Sequence, residues 1–274
     1  MLDTAPAHFL NWGGNLKGRR SAMKANNRKY RAICSSDWSE CLSPNGPFDF
    51  ISFVFPGLKP ELTDIFKSYT GNQITLSEAT RRISAVLPCT IAPEQMDAYL
   101  EDRFETYHGV PELIEWCDRN NILFMINTTG MQGYFQRATA KGLLRRVPII
   151  SANPLIRFPA QNTDPAFYDL EEIQDKPKNT EIAVRNFGIG GGKIIVMGDS
   201  GGDGPHFEWG AGVGAFLIGN MAKWSLNRYC RERGIRIDLH FGPSYSEGEK
   251  RNEEQERATN FKELTSNIES FMDL

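Results

Sequence analysis

Five stretches of the chain gather apolar residues into short runs: Tyr30 to Ser36 (YRAICSS), Ile122 to Ile126 (ILFMI), Val147 to Ser151, Lys193 to Gly198 (KIIVMG) and Val213 to Ile218 (VGAFLI). Rich in β-branched residues and bounded by turn-forming segments, they predict buried strands. Elsewhere the apolar spacing shifts to the helical three-to-four period, predicting helices over Val110 to Asp118, Met131 to Leu144 and around Thr180 to Asn186. After a Pro-Asn-Gly-Pro turn, Lys59 to Phe104 reads as three helices (PELTDIFKSYTG, TLSEATRRISAVL, APEQMDAYLEDRF) and no strand. Each opens on Pro, Ser/Thr or an acid, and Ile83, Val86 and Leu87 share a helical face. The stretch holding Pro154, Pro159 and Pro165 reads as irregular. From Glu249 a charged helix presents Phe261, Leu264, Ile268 and Phe271 as a stripe that packs on the core.

Strands alternating with helices imply right-handed crossovers and an α/β fold, a parallel sheet with helices on both faces. The predicted organisation is a flexible basic extension (1–29), an α/β core (30–46 and 106–247), a helical insertion after the first strand (47–105) and a terminal helix on the core (248–274).

Composition narrows the function classes. A chain of 274 residues can bury a full α/β core and still carry an insertion. Its net charge of −3 leaves no nucleic-acid footprint, and no apolar run reaches the length of a membrane span. Five scattered cysteines, with no CxxC pair and no Cys/His cluster, argue against zinc and disulfides and for a reducing compartment, hence a cytoplasmic protein. The basic start (Lys17, Arg19, Arg20, Lys24, Arg28, Lys29) lacks the apolar core of a secretion signal and reads as a flexible tail, with a mitochondrial presequence as the alternative.

The strand at Lys193 runs into two acids, Asp199 and Asp203, separated by small residues. An Asp-Gly turn after a core strand is the plain reading of that stretch alone. In an open parallel sheet, however, ligands bind at the carboxyl ends of the strands, and Asp37 and Thr128 fall just past two other strand ends on the same rim. Carboxylates gathered there repel unless they hold a cation, and oxygen-only ligation suits Mg²⁺. An acid, a hydroxyl, a lysine and paired acids on one rim suit phosphoryl transfer. The glycines of Gly188 to Lys193 (GIGGGK) precede their strand instead of following it, so they read as a turn and not as a nucleotide phosphate loop.

Four motifs in this order resemble the haloacid dehalogenase (HAD) superfamily of phosphohydrolases: SSDWSECLS, FMINTTG, the Lys-Pro of IQDKPKN, and VMGDSGGD. The likeness spans about Tyr30 to Phe241 and lies nearest the phosphoserine phosphatase and methionine-salvage phosphatase group, through YHGVPELIEWCDRNNI and AFLIGNMAKWSLNRYCRERGI. It implies a Rossmann-like core with a helical cap at 47–105, Mg²⁺ as cofactor, a small phosphorylated metabolite as substrate, no nucleic-acid or membrane partner, and a monomer or homodimer. Asp37 would be the nucleophile, Thr128 the phosphoryl-oxygen donor and Lys176 the cation pairing with both, with Thr129 and Lys178 as their fallbacks. The metal would be held by Asp37, Ser39, Asp199 and Asp203. Trp38, Thr129, Gly130, Arg81, Arg82 and His206 are the candidates for substrate contact, with Glu208 beside His206; His108 reads as structural.

One position departs from the family. Its phosphatases carry a second Asp two residues after the nucleophile, and here that residue is Ser39. A backbone carbonyl at that place still serves a metal, but a serine hydroxyl is a poor substitute for a carboxyl that protonates the leaving oxygen and then activates water. The loss is worth roughly 10² to 10⁴ in rate, so slow turnover or a good leaving group, such as an enol phosphate, acyl phosphate or diphosphate, is expected. Three alternatives stay open. A shifted register puts Ser35 at the nucleophile position; phosphonoacetaldehyde-hydrolase-like C–P cleavage needs a cap lysine, Lys59 or Lys67; and the protein binds phosphometabolites without catalysis.

Overall fold

The computed structural model describes residues 29–70, 73–144, 147–162, 164–189 and 193–273. The basic start up to residue 28 and the glycines 190–192 lie outside them. Seven strands form one sheet, all parallel: β1 Ala32–Ser36, β2 Ile122–Met131, β3 Ile149–Asn153, β4 Ala166–Asp169, β5 Lys193–Gly198, β6 Phe216–Asn220 and β7 Leu239–Phe241. Their order is β4-β3-β2-β1-β5-β6-β7, so β1 lies at the centre and the chain winds outward from it in both directions.

Four helices fill the insertion between β1 and β2: α1 Asp49–Val54, α2 Lys59–Thr70, α3 Leu76–Val86 and α4 Pro93–Arg103. The remainder are α5 Val110–Arg119, α6 Gln132–Ala140, α7 Asp175–Asn186, α8 Gly204–Gly212, α9 Trp224–Glu232, α10 Glu253–Ala258 and α11 Leu264–Met272. Strand residues alternate between two layers, as the pleat requires. Ala32 and Cys34 pack with Ile122, Phe124 and residues of α5 and α11, whereas Ile33 packs with Leu123, Met125 and Ala183 of α7. The outer strands complete the second layer, with Val196 and Leu217 against Phe207 of α8 and Leu226 of α9.

Sequence and structure differ at several element ends. β4 and β7 fall in stretches read as irregular or left unassigned; they are edge strands of four and three residues, too short to carry a periodicity. α1 is hidden by its aromatic, nearly continuous apolar run (DFISFV). α7 starts at Asp175, earlier than the apolar pattern indicates, and so carries Lys176 in its first turn. The sixth strand begins at Phe216 because Gly214, at φ +74°, ends the α8 connection in left-handed backbone. The C-terminal helix is two helices, broken near Thr259 and Asn260; Phe261, Leu264 and Ile268 are buried, and Phe271 stacks on Phe216.

Candidate active site

The carboxyl ends of β1 and β5, neighbours in the sheet, bring their following loops together. Carboxylate oxygens of Asp37, Asp199 and Asp203, all three residues buried, lie within 4.8 Å of one another. Three anions this close out of water need compensation. Lys176, itself fully buried, donates to Asp37 Oδ2 at 3.0 Å and to Asp203 Oδ1 at 2.5 Å. Burial alone would lower its pKa, but the two carboxylates outweigh that and hold the ammonium charged. Lys178, the fallback, is exposed and pairs with Asp175 at 3.0 Å.

Each acid is fixed differently. Asp37 Oδ1 accepts from the Trp38 amide at 2.6 Å, and burial pushes the Asp37 carboxyl up against the opposing pull of Lys176. Asp203 Oδ2 accepts from the amides of Asp199 (3.0 Å) and Ser200 (3.2 Å), so with Lys176 on Oδ1 it folds the loop and orients Asp199. This requires close approach to Gly198, where an added Cβ would lie 2.5 Å from the Asp203 carboxyl carbon. Gly198 is therefore needed for space and not for a sharp turn. Asp199 Oδ2 is buried, accepts no aligned hydrogen bond, and has the Lys223 ammonium 2.6 Å away. Burial, then the like charges of Asp203 and Asp37, outweigh Lys223 and push the Asp199 carboxyl up to about 8. A buried carboxylate oxygen that accepts no aligned hydrogen bond and has only the Lys223 ammonium beside it, amid hard oxygen donors, fits Mg²⁺.

Asp37 opens onto a cavity of about 650 Å³. Ser39, Thr129 and Ser200 line it beside the acids; Pro47, Phe66, Tyr69 and Thr70 face in from the insertion. Burial first, then the neighbouring acids, raises the Tyr69 phenol well above its usual range. Thr128 is fully buried and outside the cavity lining, its hydroxyl accepting the Gly130 amide at 3.2 Å, so it is Thr129, its fallback, that faces the cavity.

Several expected substrate contacts lie elsewhere. Trp38 is in the core against Phe104 and Phe135, because its backbone serves Asp37 while its ring points away; with Gly130 it borders a separate small hollow. Arg81 and Arg82 sit on the exposed face of α3, both paired with Glu78, and do not line the cavity. His206 is fully buried behind the site, its Nε2 3.0 Å from Thr180 Oγ1 and its ring on Trp209; burial drives its pKa down to about 3. Ser35 is fully buried in the polar cluster of Thr180 and Asn127 and does not line the cavity, whereas Asp37 does, so the geometry favours the register with Asp37 at the rim. Lys59 and Lys67 are exposed on α2 and neither lines the cavity.

Two charged residues at the rim carry no sequence signal of their own. Lys223 bridges Asp199 and Glu40, and Glu40, held at φ +59° in the loop after Asp37, also pairs with Arg251. Lys223 follows the end of β6 and so belongs to the same rim as the acids, which was the available clue.

The sequence matches no family model and no curated protein. Solved structures do match in three dimensions. A phospho-aspartyl intermediate analogue of phosphoserine phosphatase aligns over 87% of this chain and 99% of its own, with TM-score 0.58 and 15% identity. A HAD family hydrolase from Salmonella enterica subsp. enterica serovar Typhi covers 78% of this chain and 68% of its own, with TM-score 0.55 and 14% identity. Cytosolic 5'-nucleotidase IIIB bound to cytidine covers 87% and 88%, with TM-score 0.53 and 14% identity. The chain therefore has the HAD fold, in the form that phosphoserine phosphatase shares.

Proposed function

We propose that the protein is a Mg²⁺-dependent phosphohydrolase of small phosphorylated metabolites, working through an aspartyl-phosphate on Asp37. The observation that carries this is the meeting of Asp37, Asp199 and Asp203 around Lys176 at the mouth of a cavity. Similarity to solved phosphatases supports it at the level of fold. The five free cysteines agree with a reducing compartment such as the cytoplasm, where the protein acts as a monomer or homodimer. Among the described residues no helix is long and apolar enough to cross a membrane.

Asp37 attacks phosphorus, the bond to the leaving oxygen breaks, and the acyl phosphate is then opened by water at phosphorus, which returns the carboxylate. Lys176 opposes the effect of burial and so favours the ionised, nucleophilic form of Asp37, while the Thr129 hydroxyl on the cavity wall holds a phosphoryl oxygen, with Thr128 buried behind it. Asp37, Ser39, Asp199 and Asp203 would hold Mg²⁺, which supplies charge to offset the crowding of anions. Ser39 lines the cavity without a carboxyl to protonate the leaving oxygen, so substrates whose leaving group is stable as an anion are favoured, such as enol phosphates or diphosphates.

Ser39 also supports a second reading, a phosphometabolite binder without turnover. A C–P cleaving reaction finds less support, since neither Lys59 nor Lys67 reaches the cavity lining. A panel of phosphate esters assayed with Mg²⁺ tests the proposal: turnover abolished by Asp37→Asn supports it, and binding without turnover favours the second reading.

A further inference from the structure

The cavity continues beyond the reacting groups along α9, and its far wall is cationic and aromatic. Ser225 Oγ accepts the Gly201 amide at 3.0 Å, which ties the start of α9 to the loop of the paired acids. Arg228, Tyr229, Glu232 and Arg233 follow along the same cavity wall. At 1.5 Å rise per residue they stand roughly 5 to 12 Å past Ser225. Opposite them, Phe66, Tyr69 and Thr70 of α2 close the cleft from the insertion.

Neither guanidinium is committed to a tight partner. Arg228 Nε is 3.7 Å from Glu232 Oε1, and Arg233 Nε is 3.6 Å from Glu208 Oε2, both beyond hydrogen-bond length, and both arginines are about half exposed. Arg233 is positioned by stacking 3.7 Å over the Tyr229 ring, whose hydroxyl donates to Glu208 at 2.7 Å. Most of the donors of a planar fork suited to phosphate or carboxylate thus remain available. The reacting phosphoryl group needs only the end of the cavity at Asp37, and a phosphorylated C3 acid would leave most of its 650 Å³ empty.

We infer that α9 forms a subsite for a second anionic group, so that the substrate is a phosphate ester whose leaving group carries another phosphate or a carboxylate several bonds from the reacting phosphorus. This rests on the proposed phosphatase reading only for the location of the reacting end. The test is calorimetric binding in Mg²⁺ to the Asp37→Asn protein, with fructose 6-phosphate, fructose 1,6-bisphosphate and 6-phosphogluconate as probes. Binding of a doubly anionic probe is expected to be roughly tenfold or more tighter than that of fructose 6-phosphate. Preference for the bisphosphate alone identifies a phosphate subsite; preference for both identifies a general anion subsite. Arg228→Met and Arg233→Met should each shrink the affinity ratio several-fold, and Glu232→Gln, which removes the competing carboxylate, should widen it. Equal affinity for all three probes, no binding of any, or ratios that ignore these substitutions would overturn the subsite. Wild-type turnover of simple esters with no second-anion preference sinks the subsite alone, whereas the preference without turnover of any ester sinks the phosphatase reading alone.

Discussion

The Lys223 ammonium stands 2.6 Å from Asp199 Oδ2, on the same oxygen that has no aligned hydrogen-bond donor. A cation arriving at Asp199 therefore meets a resident positive charge. Lys223 has an alternative partner in Glu40 at 2.6 Å, so it can yield that oxygen without losing its counter-charge. Lys223→Met is expected to tighten Mg²⁺ or Mn²⁺ binding in the absence of phosphate, by roughly tenfold, as removal of a like charge near a site does. Calorimetric titration checks the sign; weaker binding would mean that Lys223 orients Asp199 instead of competing for it.

The Asp199 carboxyl, raised to about 8, makes the metal-free protein sensitive to alkali. Between its unfolded value of about 4 and about 8 the native state binds the proton and the unfolded chain does not, so stability falls as pH rises through that window. His206, lowered to about 3, acts with the opposite sign, but only below about 6.5. The interval from about 6.5 to 8 therefore excludes His206, and comparison with Asp199→Asn separates Asp199 from Asp37, whose carboxyl burial also raises. In EDTA the melting temperature should drop across it, with the drop reduced in Asp199→Asn. Identical slopes in the two proteins would contradict the assignment.

Ser39 supplies a direct test of proton transfer. Replacing Ser39 by Asp places a carboxyl in the cavity, and turnover of alkyl phosphates should rise by roughly tenfold or more, while esters with acidic leaving groups change little. A uniform change across leaving groups would show that protonation is not what limits the reaction.

Gly198→Ala should act through Asp203 without removing any charged group. The new methyl would fall within 2.5 Å of the Asp203 carboxyl carbon, forcing the acid away from Lys176 and from the Asp199 amide. Overpacking of this kind costs about 1 to 3 kcal/mol. Urea unfolding reads the loss of stability, and a parallel loss of Mg²⁺ affinity separates this effect from a general one.

How much of this was legible in the sequence follows from what each feature depends on. Asp37, Asp199 and Asp203 follow strongly apolar strands, and strand ends in a parallel sheet share a rim, so their meeting could be read from pattern alone. Lys176 was placed by its motif, although the helix that carries it starts earlier than its apolar spacing indicates. Arg81 and Arg82 were misleading because a helix offers several faces, and only packing decides that α3 turns them to solvent. His206 was likewise near the acids in sequence, yet α8 turns it inward onto Thr180. Tyr69 was invisible for the converse reason, since it reaches the cavity only because the insertion folds over the core, whereas Glu40 and Lys223 stand just past strand ends on the rim and what could not be read was their pairing.

The position of β1 has a bearing on how the molecule assembles. Ala32 pairs with Ile122 on one side and Lys193 on the other, and neither partner is local in the chain. Closing such long loops is entropically costly and precedes any reward from pairing, which makes sheets of this kind slow to form. The strand that delivers Asp37 is synthesised before both of its neighbours, and it acquires its last hydrogen-bonded edge only when β5, with Asp199 and Asp203 just behind it, comes into place. The carboxylate cluster and the middle of the sheet are thus completed by one and the same folding event.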